Sequence, residues 1–79
     1  MTNAELVHRE IVAVKEKLSK NSRGAYAVAV RTADVALGSG DRLRALAVLE
    51  FAQGNPRITF VKRSALARWA SLLRESRVL

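Results

Sequence analysis

Six cations, Arg57, Lys62, Arg63, Arg68, Arg74 and Arg77, fall in the last third of this 79-residue chain. They belong to fourteen lysines and arginines set against seven carboxylates, for a net charge of +7. A guanidinium fork donates two parallel hydrogen bonds to a phosphate or a carboxylate. The chemistry available to such a set is recognition of an anion: a nucleic-acid backbone, an acidic protein face or an anionic membrane surface. The charge is uneven. Residues 1–40 carry six basic and four acidic side chains, net +2, while residues 41–79 carry eight and three, net +5. The C-terminal half is therefore expected to hold the binding residues.

Bond-making chemistry has little material. The single histidine, His8, has no serine or aspartate at a spacing that suggests a catalytic constellation, and it reads as a surface or interface residue. Glu5, Glu10 and Glu16 read as helix-surface charges with basic partners rather than as acid/base pairs. With no cysteine and one histidine, the sequence shows no clustered metal ligands and no disulfide framework. Gly38-Ser39-Gly40-Asp41-Arg42 could cradle a phosphate at a helix start. It lacks the further glycines and the strand context of a nucleotide loop, and Asp41 repels a phosphate there, so it reads as a turn. The expectation is a non-enzymatic protein with no cofactor, no metal and no small-molecule substrate.

The elements that position these residues read as helices. Thr2-Asn3-Ala4-Glu5 fits a capping box that starts a helix at Asn3. Ala4, Val7, Ile11, Val14 and Leu18 then repeat at spacings of three and four over about residues 3–19. That seam is under three heptads, so it suits packing inside the fold or across a dimer rather than a long coiled coil. Glu5 with Arg9 and Glu16 with Lys20 are favourable i,i+4 pairs. Residues 19–24 form a polar break ending in Gly24. Tyr26, Val28, Val30 and Thr32 alternate as in a strand, but five alanines favour a helix over about 23–37, with strand the competing reading.

Gly38 suits a left-handed helix stop, and Ser39 or Asp41 a helix start. The next helix, about 41–53, is apolar nearly all round, leaving only Arg42, Glu50 and Gln53 on one narrow polar face. Such a helix is expected at the centre of the core. Arg44, opposite that face, must snorkel, find a carboxylate or sit at an interface. Gly54-Asn55-Pro56 marks a corner. It is followed by one turn or an extended segment at 57–61 and a helix over about 63–77 whose apolar face includes Leu66, Trp69 and Leu73.

These readings combine into one small all-α domain spanning residues 1–79, a bundle of about four short helices. A chain of this length buries only about 60% of its unfolded surface, and small scaffolds without staples often oligomerise. A homodimer is expected, with Val7, Ile11, Val14, Leu18 and Trp69 as candidate interface residues. No apolar run is long enough for a transmembrane segment, and the start of the chain lacks a secretory pattern, so a cytoplasmic location is expected. The leading functional expectation is regulatory DNA binding through the arginine-rich C-terminal half, read as a corner followed by a recognition segment. Its rival is a modulator or inhibitor that docks on an acidic surface of a larger protein. Trp and Arg are the residue types enriched at interface hot spots. A basic amphipathic helix on a membrane surface is a third reading. RNA binding wants exposed stacking aromatics, and Tyr26 is the one candidate.

Overall fold

The capping box starts the first helix where its residues require. In the computed structural model, which describes residues 1–75, the amide of Glu5 donates to Thr2 Oγ1 at 3.1 Å. The amide of Thr2 donates to Glu5 Oε1 at 2.9 Å. Four helices follow: α1 (Asn3–Lys17), α2 (Ala25–Gly38), α3 (Arg42–Gln53) and α4 (Phe60–Glu75). This is the expected all-α fold of four helices, and there is no strand among the described residues. Each helix packs mainly on two others, in the cyclic order α1, α2, α3, α4.

The ambiguous stretch is a helix for a visible reason. A strand would put Val28 and Val30 on one face. Instead Val30 is buried with Ala29, Ala33 and Ala36, while Val28 faces out. Three small residues in the contact let α2 approach its neighbours closely. From α1 the core receives Val7 and Ile11; from α3 it receives Leu46 and Leu49; from α4 it receives Leu66, Trp69 and Leu73.

The corner between α2 and α3 corrects one expectation. Gly38 is the last residue of α2, and the left-handed residue is Gly40, at φ 79°. Asp41 is the cap, its Oδ1 accepting from the amide of Arg44 at 3.0 Å. Gly40→Ala is expected to lower stability by about 1 kcal/mol, because a Cβ is strained in that conformation. Gly38→Ala should be neutral or stabilising: its Cβ would meet only His8 Cε1, at an ordinary 3.8 Å, and alanine favours the helix. Thermal unfolding of the two variants checks the contrast. Equal effects would place the strain elsewhere.

The corner between α3 and α4 corrects another. Gly54 ends α3 in an ordinary right-handed conformation, at φ −78°. Asn55 Oδ1 accepts from the amide of Arg57 at 2.9 Å, closing a local turn. Ile58 is buried and pins that turn to the core. The Thr59 carbonyl then accepts from the amide of Arg63 at 2.8 Å. Phe60 and Val61 thus belong to the first turn of α4 rather than to an extended piece, and α4 begins three residues before the expected 63.

Two helix-surface pairs are also replaced. The Glu5 carboxylate is engaged in its cap, and Arg9 reaches Met1 Sδ instead. Lys20 lies beyond the end of α1, so it does not share a helix face with Glu16.

The largest correction concerns α3. It buries Ala45, Leu46, Leu49 and Ala52 but leaves Leu43, Ala47 and Phe51 exposed. A ring of four helices has no interior member. A helix with two main neighbours cannot be surrounded, however apolar its circumference.

Candidate functional site

The structure disperses the C-terminal cations rather than aligning them. Arg63 turns back onto α3, its Nε donating to the Gln53 carbonyl at 3.2 Å and its Nη2 to the Asn55 carbonyl at 2.8 Å. It thereby binds carbonyls at and just beyond the C-terminal end of α3, where the helix is partly negative. Arg68 pairs with Glu10 of α1, and Arg74 pairs with Glu50 of α3. Lys62 Nζ stands 5.3 Å from the centroid of the Tyr26 ring, within cation–π range. Burial pushes the Tyr26 phenol above its ordinary pKa. Arg57 is exposed at the α3–α4 turn. Arg77 lies outside the described residues.

The candidate interface seam is spent inside the chain. Val7, Ile11 and Trp69 are buried in the core, and Val14 and Leu18 pack against it partly covered. The indole N–H of Trp69 donates to Glu10 Oε1 at 2.9 Å. Glu10 therefore accepts from two residues of α4. The Arg68 guanidinium first, and the indole second, hold its carboxyl below the usual glutamate range. A homodimer would have to use another surface than this seam.

His8 is not a simple surface residue. Its Nε2 lies 2.8 Å from Asp34 Oδ1, and Lys15 Nζ donates to Asp34 Oδ2 at 2.6 Å. The Lys15 hydrogen bond and then the His8 hydrogen bond hold the Asp34 carboxyl below its ordinary pKa, against the opposing effect of burial. The cluster joins α1 to α2. Among the described residues no group of three His, Asp or Glu could hold a metal ion, and no helix is long and apolar enough to cross a membrane.

The feature that sequence reasoning missed lies between α2 and α3. The start of α2 runs beside the end of α3, so the two helices are antiparallel, and a groove of about 480 Å³ follows their junction. Alanines 25, 29, 47 and 52 contribute to its lining, and Val28 and Phe51 wall it. Phe51 is 88% exposed, Val35 71%, Leu43 58% and Val28 52%. Leu43, Ala47 and Phe51 recur at four-residue spacing, one strip along the outside of α3. The signal that could have found them was the lack of a polar face wide enough for a solvated helix in a bundle with no central position. No protein-family model, curated protein or solved structure matches this chain.

Proposed function

We propose that this chain is a non-enzymatic binding module that recognises another protein through the apolar face of α2 and α3. One observation carries the reading: Phe51 and Val28, large apolar side chains 88% and 52% exposed, stand in solvent on the walls of a single groove, with the exposed Leu43 and Val35 elsewhere on the same two helices. Scattered exposed apolar residues are ordinary, but a contiguous patch is the mark of an interaction surface. The arrangement supports a helix-in-groove mode, in which an amphipathic partner inserts anchors between two helices.

The recognition-helix reading of α4 has less support. Arg63, Arg68 and Arg74 are engaged within the chain, and the exposed start of α4 presents Phe60 and Val61. One observation favours a second reading, binding to nucleic-acid phosphates. Arg23, Arg57 and Lys62 share one depression at the start of α2.

Phe51→Ser separates the two. The side chain is exposed, so folding stability should change by no more than about 0.5 kcal/mol. A protein recovered stoichiometrically by the wild-type chain should be lost with the variant. Tight, salt-labile duplex DNA binding that Phe51→Ser leaves unchanged would reject the groove reading in favour of the second. Loss of folding would make Phe51 a structural residue and also reject it.

A further inference from the structure

We infer that the α2–α3 groove takes an acidic amphipathic helix of a partner protein, gripped by cations at both ends. This rests on the protein-binding reading and specifies its occupant. Three depressions join along the α2–α3 junction. The apolar groove shares Thr32 with a depression that contains Arg44. At its other end it shares Ala25 and Asn55 with the depression that contains Arg23, Arg57 and Lys62. The result is one channel with an apolar middle and a positive charge at each end.

The nearby carboxylates do not cancel this pattern. Asp41 lines the same depression as Arg44, but Arg31 lines it too, so that end keeps an excess of one positive charge, and Glu50 is paired with Arg74. The side chains of Arg23, Arg44 and Arg57 are exposed. The 14 residues of α2 rise about 21 Å at 1.5 Å each, so a partner helix of similar length spans the channel. Its complement is an apolar stripe at spacings of three and four, with carboxylates near both termini. A second copy of this chain is a poor occupant. Whichever way two grooves face each other, an arginine-bearing end meets another, and the net charges of +7 repel.

A displayed library of sixteen-residue helices with random apolar and flanking positions tests the occupant. It is selected on the wild-type chain and counter-selected on Phe51→Ser. The enriched helices should carry Asp or Glu at both flanks. Their affinity, read by fluorescence anisotropy, should fall about tenfold with Arg44→Glu/Arg57→Glu, a loss of about 1.4 kcal/mol, and should weaken with added salt. Groove-dependent helices with neutral or basic flanks would overturn the acidic partner and leave the groove reading standing. No groove-dependent enrichment would overturn both. Sedimentation showing a dimer that Phe51→Ser abolishes would make a second copy the occupant and overturn the inference. Duplex DNA that displaces the selected helices and is lost with Arg57→Glu would assign the cationic ends to nucleic acid and overturn it as well.

Discussion

Trp69→Ala is expected to remove about 3–5 kcal/mol of folding stability, the usual cost of deleting a buried aromatic. Trp69 is 2% exposed and sits in the core beside residues of every helix. A chain of 79 residues has about 4–12 kcal/mol in total, at roughly 0.05–0.15 kcal/mol per residue. The loss is a large share of that total, and at the low end of the range it leaves the variant largely unfolded at room temperature. Truncation leaves a cavity and also removes the indole donor from Glu10. Trp69→Phe separates these effects. It keeps a six-membered aromatic ring but loses the pyrrole part with its N–H, leaving a smaller cavity than Trp69→Ala, while Glu10 retains Arg68. The cost of the lost hydrogen bond should then be about 1 kcal/mol. Urea unfolding followed by circular dichroism gives both numbers. A Trp69→Ala chain as stable as wild type would contradict the packing described for α4.

Acidification should destabilise the attachment of α1 to its neighbours, with Asp34 among the groups responsible. The sign follows from the direction of the shift. The Asp34 carboxyl is held below its ordinary 3.8, mainly by the Lys15 hydrogen bond and then by His8. A group with a depressed folded-state pKa stabilises the fold fully above its unfolded value. That stabilisation is lost as the pH falls through the folded value, so the window lies below about pH 4. Glu10, lowered from 4.5 by Arg68 and Trp69, works in the same direction from the α4 side.

Asp34→Asn should cost about 1–2 kcal/mol at neutral pH. The estimate is at the lower end because Lys15 and His8 are 40% and 31% exposed and keep part of their hydration. Melting temperatures of the variant and the wild type should draw together as the pH falls below about 4. Parallel curves across the whole range would show that Asp34 is not one of the groups responsible.

The two predictions differ in how far they were legible in the chain. Trp69 stands on an apolar face at spacings of three and four, so helical periodicity shows that it is covered, but not whether by the core or by a second copy. The Asp34 cluster has no such signal. His8 and Asp34 are 26 residues apart, and nothing local to either residue indicates that α1 and α2 bring them together. The same holds for Arg68 and Glu10, 58 residues apart. Both were visible only as charges on helix surfaces.

Local signals transmitted well because their physics is local. The Thr2–Glu5 box, the Asp41 cap and the apolar repeat of α1 each involve residues within about a turn or two of one another. They determined where the first helix begins and placed the start of the third at Ser39 or Asp41, while residues 25–37 stayed open between helix and strand. The glycine at the α2–α3 corner was legible as a turn, but the choice of Gly40 over Gly38 was not. Either glycine tolerates a left-handed conformation, and packing selects one.

What only the tertiary structure decided is which apolar surface remains outside. The sequence of α3 is apolar nearly all round, and taken alone that describes a central helix. Burial, however, depends on the number of neighbours, and a ring of four helices supplies α3 with two main ones. Leu43, Ala47 and Phe51 are left facing solvent for that reason, beside Val28 on α2. Packing also decided which cations are engaged: it brings Arg63, Arg68 and Arg74 onto partners within the chain and leaves Arg44 and Arg57 exposed at opposite ends of the groove. The sequence by itself determined the first, third and last helices and the excess of positive charge. The tertiary structure determined where that charge is available, because pairing across distant helices is set by how their faces meet.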